Sequence, residues 1–198
     1  MALFEGAVPP RDTTLWVLST RMEAGRAAPR GGFGFGAGTL IETPEGPRPV
    51  QELSTGHTVI TEDGPRRIQE FRICLAARAI VISPGFFGDD GPAAPVLVGG
   101  DSWIGFEGLA LDALFSETEA LVRAGDLETQ PGVRLLGPAL LFAIGTDRAN
   151  LVMAGGLPFL SGQPEDAGMR ALSCGEAQIA LSGPPGWAKP RIAFRGAA

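Results

Sequence analysis

The side chains able to attack a carbonyl or shuttle a proton are few: two cysteines, Cys74 and Cys174, and a single histidine, His57. A thiol attacks only as thiolate, so it needs a base or an electropositive neighbour. Cys174, in LSCGEAQ, has Glu176 close by in sequence but no histidine near it, and both cysteines read as packed thiols. One histidine excludes multi-histidine metal centres and leaves little for a His-based triad. Two cysteines outside any CxxC pattern supply neither a disulfide framework nor a zinc knuckle. Asp89 and Asp90, in a glycine-flanked loop, offer far fewer oxygens than the roughly six to eight that calcium takes, so they read as a solvated turn. The glycine run GGFGFGAG, from Gly31 to Gly38, could cradle a phosphate only between a strand and a helix, and the TLIET that follows is strand-like. No cofactor and no metal are expected.

The elements that would hold these groups are short. Gly 29 and Pro 17 punctuate the 198 residues throughout, while 44% hydrophobic residues suffice for a buried core. TLIET and HTVIT read as strands, with a brief helical turn expected at Pro49 to Leu53 between them. Asp63-Gly64 marks a hairpin, and RRIQEFRICL, Arg66 to Leu75, is its returning strand. AIVIS, APVLVGG, VRLLG, PALLFAIG and NLVMAGG add β-runs, and CGEAQIAL and RIAFRG add more around the Pro184-Pro185-Gly186 turn. One helix is expected in GLALDALFSETEALVRAGD, where Leu111, Leu114, Phe115, Thr118, Leu121 and Val122 recur at helical spacing and Gly125 is the stop. Phe33, Phe35, Phe86, Phe87, Trp103 and Trp187 are expected in the core rather than on a recognition surface. The fold class is all-β, mainly β with one helix. Residues 1–30, with the apolar patch Leu15 to Leu18, read as an N-terminal arm, 31–162 as the β domain, and 163–198 as a C-terminal extension packed on or beside it.

Sixteen basic against twenty-two acidic residues give a formal charge of -6, which repels nucleic acid and anionic membranes. The longest apolar run, Leu135 to Gly145, is broken by Gly137-Pro138 and falls short of the ~20 residues of a membrane span. The start MALFEGAVPPRDTT lacks the basic and apolar regions of a signal peptide. A cytoplasmic location is therefore the default expectation, with export without a cleavable signal, or carriage in a phage-like particle, as alternatives.

From Gly34 to Phe71 the sequence GFGAGTLIETPEGPRPVQELSTGHTVITEDGPRRIQEF resembles the opening of bacterial Hint domains, the autoprocessing fold of Hedgehog C-terminal segments and inteins. Phe35, Gly38, Thr39, Ile41, Thr43, Gly46, Arg48, Pro49, Val50, Leu53, Gly56, Val59, Thr61, Asp63 and Gly64 fall in step with that pattern. A fainter likeness runs through AIVISPGFFGDDGPAAPVLVGGDSWIGF and DRANLVMAGGLPFLSG to about Gly162. The resemblance implies a Hint-like horseshoe or irregular β-barrel of short strands.

It also implies a chemistry. In the family the first residue, normally Cys, attacks the carbonyl just before it and converts an amide to a thioester, while a histidine on a later strand polarises the bond. Gly34 falls at the nucleophile position and has no side chain. Ser102, in GGDSW, falls at the histidine position, and an unactivated hydroxyl does not titrate near neutrality. Ala143 and Ala149 fall where further histidines are common, and His57 matches a non-catalytic acidic position and is expected at a strand start facing solvent. The implied function is a catalytically inactive Hint-like module that binds a protein partner or self-assembles, as a subunit of a larger secreted or phage-like assembly. The alternative is self-cleavage through an unconventional nucleophile, Thr39, Ser102 or Cys174. For a trans-acting enzyme no constellation of base, nucleophile and oxyanion donors is visible. If the scaffold is intact, Gly34→Cys with Ser102→His is the expected route to revived cleavage.

Overall fold

The computed structural model describes residues 32–88, 91–184 and 186–191. The expected N-terminal arm, the Asp89-Asp90 pair, Pro185 and the RIAFRG stretch beyond Arg191 lie outside the described residues. In chain order the strands begin with β1 (Leu40–Ile41), β2 (Arg48–Pro49), β3 (Thr58–Thr61), β4 (Gly64–Arg67), β5 (Glu70–Ile82) and β6 (Val96–Gly99). They continue with β7 (Trp103–Glu107), helix α1 (Leu109–Phe115), β8 (Glu119–Arg123), β9 (Val133–Gly145), β10 (Leu151–Ala154) and β11 (Leu157–Leu160). Last come β12 (Arg170–Ala171), helix α2 (Cys174–Leu181) and β13 (Lys189–Pro190).

The larger sheet runs β12-β8-β7-β11-β10-β1-β2, with β13 on β7, β3 on β10 and β4 on β3; the smaller is β6-β5-β9. Neither sheet closes on itself. The all-β expectation holds. Val50–Glu52 is the short helical turn expected there, as a 3₁₀ turn. The Asp63-Gly64 hairpin forms, with Thr61 paired to Gly64 across it and Gly64 at the positive φ of 100° that such a turn demands, but its returning strand is only β4, and the rest of the run read to Leu75 belongs to β5 and pairs with β9.

Three local readings are corrected. The runs read as separate strands on either side of Ala76 are one strand, β5, and those on either side of Gly137-Pro138 are one strand, β9. The two pair along their length with register shifts between Ala76 and Ala79 and again between Ala79 and Ile80. A bulge opposite Gly137, at φ 89°, absorbs the irregularity, and Pro138 is tolerated because β9 is an edge strand. The long helix is instead α1 followed by β8. Ser116, the one non-glycine residue at positive φ among those described, ends α1, and Leu121 and Val122 pair with Gly105 and Ile104 of β7. Their three- and four-residue spacing with α1 is coincidental, because sheet pairing outweighs helix propensity over so short a stretch. CGEAQIAL is the helix α2, not a strand. Ser173 and Glu176 form a reciprocal capping box at its start, a pattern legible in the sequence as S-x-x-E and overlooked.

The core lies between the sheets. Ile41, Val59, Ile80, Ile104, Leu121, Leu141 and Leu157 are fully buried within it or at its edge, and the rings of Phe35 and Phe159 meet edge to face at 5.2 Å. Phe86 and Phe87 meet edge to face at 4.4 Å, and Phe87 meets Phe106 in the same way at 5.4 Å, so this pair packs against the core. The stretch after Gly162 contributes β12, parallel to β8, and β13, antiparallel to β7.

What positions the site is the segment entering the fold at residues 32–36. Phe35 bridges both outer strands of the small sheet, Val98 of β6 and Phe142 of β9. The amide of Gly99 donates to Gly34 O at 2.9 Å, and that of Gly36 to Leu97 O at 2.8 Å. Gly99 permits this approach: a Cβ there would stand 1.8 Å from Gly32 O. Gly99→Ala is therefore expected to displace the entry segment and lower the unfolding free energy by about 1–3 kcal/mol, read by urea denaturation. An unchanged midpoint would mean that the segment is not held as described.

Candidate functional site

Gly34 is buried, at φ 118°, a conformation that L side chains rarely adopt. A Cβ on it would stand 2.8 Å from the carbonyl oxygen of Phe142, which itself accepts from Phe35 N at 3.0 Å. Residue 34 therefore lacks an attacking atom, and the backbone around it has no room for one. The amide of Gly34 donates to Ser102 Oγ at 3.1 Å, within the protein interior. The two positions picked out by the resemblance, separated by 68 residues in the chain, are thus in direct contact.

Ser102 is held from both sides: its amide donates to Gly99 O at 3.0 Å, and its carbonyl accepts from Ala124 N at 2.7 Å. Only 5% exposed, it is shielded from solvent, and its hydroxyl works as a hydrogen-bond acceptor. The carbonyl side of the same peptide is also engaged. Cys74 of β5 donates its thiol to Phe33 O at 3.4 Å. Burial pushes this thiol above its ordinary range, opposed by the positive charge of Arg72. Cys74 is the residue that sequence reasoning placed in the core and passed over. Nothing in the pattern RRIQEFRICL signals that its side chain meets residue 33, because the pairing is long-range.

Beside Phe33 opens a cleft of about 310 Å³, lined also by Glu70, Arg72, Ala143, Arg148 and Ala149. Ala143 and Ala149, matched to family histidines, both reach it. Of the charges that line it, Arg72 pairs with Glu70, Arg148 with Asp63 at 3.7 Å, and Asp147 with Arg66 at 3.5 Å, while Asp166 also lines it.

The other candidates lie elsewhere. Thr39 is buried at the start of β1, its carbonyl accepting from Val50 N at 2.8 Å, and none of its hydrogen bonds reaches the Phe33–Gly34 peptide. Cys174 is exposed, not buried, because it opens the surface helix α2, where Gln178 Nε2 lies 3.5 Å from its sulfur. Cys74 is only half buried, not packed in the core as read. His57 is half buried rather than free in solvent, and its Nδ1 accepts from Ser54 N at 3.0 Å within its own turn. No group of three or more His, Cys, Asp or Glu among the described residues could hold a metal ion. No helix among them is long and apolar enough to cross a membrane.

In this mainly β fold the Phe33–Gly34 peptide is met at its carbonyl by Cys74 of strand β5 and at its amide by Ser102, in the turn that precedes β7. The family model described as "Hint domain" matches residues 33–165, two thirds of the chain, and the protein belongs to that family. Among solved structures it is similar to a bacterial intein-like domain from Clostridium thermocellum, with 14% identity, TM-score 0.49, and 66% of this chain and 99% of that one covered. It is also similar to the MchDnaB-1 intein, with 15% identity, TM-score 0.44, and 65% and 100% covered. Likenesses at this level carry no argument of their own, and the family assignment rests on the family model. No curated protein matches the chain.

Two outcomes follow from this geometry. Ser102→Ala strands the buried Gly34 N–H and is expected to cost about 1–3 kcal/mol in denaturant unfolding; a loss below a few tenths would remove Ser102 from this role. Because the folded state favours the protonated Cys74 thiol, its contribution to stability is present below the unfolded-state pKa and declines as pH rises through the raised folded one. Alkylation of Cys74 by iodoacetamide, followed by peptide mass spectrometry, should accordingly set in at higher pH in the folded chain than in the urea-unfolded chain. Equal onset in the two states would contradict the burial argument.

Proposed function

We propose that this Hint domain does not run the family's acyl shift from residue 34 and serves as a rigid protein-binding or structural module within a larger assembly. The observation that carries this reading is the pairing of φ 118° at Gly34 with the 2.8 Å between its would-be Cβ and Phe142 O. A side chain there is both strained and obstructed, so the position is committed to glycine rather than merely lacking a cysteine. Ser102 supports it: the group at the histidine position satisfies the Gly34 amide as an acceptor and offers no group that titrates near neutrality to protonate a departing nitrogen. What remains of the fold is a platform whose two cleft arginines, Arg72 and Arg148, are each ion-paired, suited to presenting surfaces rather than to turning over a substrate.

The full chain, held at neutral pH for days with and without dithiothreitol, is expected to keep its intact mass. Appearance of fragments divided at Phe33–Gly34 would overturn the proposal. The double substitution Gly34→Cys with Ser102→His is expected to leave the chain uncleaved and to lower its stability by about 1–3 kcal/mol, the usual range for a strained backbone residue. Cleavage by that variant at neutral pH would show that β9 yields to a side chain at residue 34.

A further inference from the structure

The ribbon formed by β5 and β9 has one covered edge and one open edge. On the β9 side, Phe35 N donates to Phe142 O at 3.0 Å and Phe142 N to Phe35 O at 2.8 Å. Phe142 therefore faces its partner Ile73 as a non-hydrogen-bonded pair, and the amide and carbonyl of Ile73 point away from β9. Phe71 opposite Ile144 and Leu75 opposite Leu140 share that parity, because the register shifts only beyond Ala76. β6 covers this side of β5 from Ala79 to Ile82, and Gly100 N takes Arg78 O at 2.9 Å. Among the described residues, none pairs with the outward backbone groups of Phe71, Ile73 and Leu75.

The side chains along this edge are apolar as well. Phe71, Ile73 and Leu75 share one face of β5. Ile73 is 52% and Leu75 74% exposed, and Leu140, 62% exposed, extends the row onto β9. Open edges are ordinarily blunted by proline, by charge or by shortness. Between Phe71 and Leu75 there is no proline, and the one charge, Arg72, is paired with Glu70 and alternates to the other face.

We propose that this edge is a self-association site, taken up by β5 of a second copy of the chain in antiparallel pairing about a two-fold axis at Ile73. The register follows from the open length. With Ile73 opposite itself, Phe71 meets Leu75 of the other copy and Leu75 meets its Phe71, so every outward amide and carbonyl of the three residues gains a partner. All three side-chain pairs are apolar, and such cross-strand pairs stabilise a sheet. Arg72 comes opposite Cys74 and Glu70 opposite Ala76, so no charge stands directly opposite its own sign. A foreign strand has to bring a matching apolar row, whereas a second copy carries it already. The two-fold uses up both edges, so association stops at a dimer. One short strand pair covers less than the ~800 Å² per partner of standard interfaces, so the dimer is weak and forms at high local concentration. This names a partner for the module proposed above and rests on that reading. The two fail separately: fragments in the intact-mass experiment overturn the module, and an uncleaved chain that stays monomeric overturns the pairing alone.

The test is sedimentation equilibrium of the full chain at rising concentration. The mass is expected to climb from 20.5 kDa toward twice that value. Ile73→Lys and Leu75→Lys, each checked for an unchanged far-UV circular dichroism spectrum, should hold it at the monomer value. Ile179→Lys, at an exposed apolar position on α2, should dimerise like the parent. The register is read by oxidation in a Cys74→Ala, Cys174→Ala background. Ile73→Cys places two thiol-bearing residues opposite one another with Cα atoms ~5.5 Å apart, within the ~4.4–6.8 Å that a disulfide spans. It should therefore cross-link several-fold faster than Leu75→Cys, which faces Phe71. A mass that stays at 20.5 kDa up to about 1 mM chain, where even a weak complex is populated, overturns the proposal. So do a dimer that both lysine variants leave intact, growth beyond the dimer, and cross-linking of Leu75→Cys as fast as Ile73→Cys.

Discussion

The contact on which the rest of the molecule depends is the backbone crossing of the entry segment with β9, where Phe35 and Phe142 exchange amide and carbonyl hydrogen bonds of 3.0 and 2.8 Å. At that crossing Gly34 lies so close to the Phe142 carbonyl that a Cβ cannot be placed between them without movement of backbone. The same segment also bonds to β6 through Gly99 and Leu97, so both outer strands of the small sheet converge on it. Interiors of this density transmit a displacement of a few tenths of an ångström to their neighbours. The identity of residue 34 is therefore a constraint on the small sheet as a whole, and not on one side chain.

The same crossing supports the proposal that the family's acyl shift does not start from residue 34. Acyl transfer at this position demands a nucleophile, a proton donor at the leaving nitrogen and stabilisation of the carbonyl oxygen. Here the nucleophile's place holds glycine, the nitrogen's partner is an acceptor, and the oxygen's partner is a neutral thiol. Each polar group of the peptide is satisfied in a way that favours the intact bond. Buried polar groups satisfied in this manner stabilise the ground state and add to the barrier, the reverse of what catalysis needs.

Much of the fold was readable before any coordinate. The Asp63-Gly64 hairpin, the turn at Val50–Glu52, the strands of the Gly34 to Phe71 stretch and the family itself follow from local patterns with a direct physical cause. The errors share a cause as well. Leu121 and Val122 share helical spacing with α1, yet the partner that captured them, β7, is invisible to a local window. CGEAQIAL was misread because apolar content was weighed above the S-x-x-E cap at Ser173. The continuity of β5 and β9 past Gly137-Pro138 depended on each serving as the other's template.

By itself the sequence determined which atoms are available: no side chain at residue 34, a hydroxyl rather than an imidazole at residue 102, a single histidine, His57, and enough glycine to let chains approach closely. Those are properties of composition and order, and they hold in any conformation. Only the tertiary structure decided that Gly34 and Ser102 touch, that Gly34 sits at a φ closed to other residues, and that the thiol of Cys74 faces the carbonyl before it. Such facts join residues about forty to seventy positions apart. They arise from the packing of two sheets against one entering segment, which no local pattern encodes.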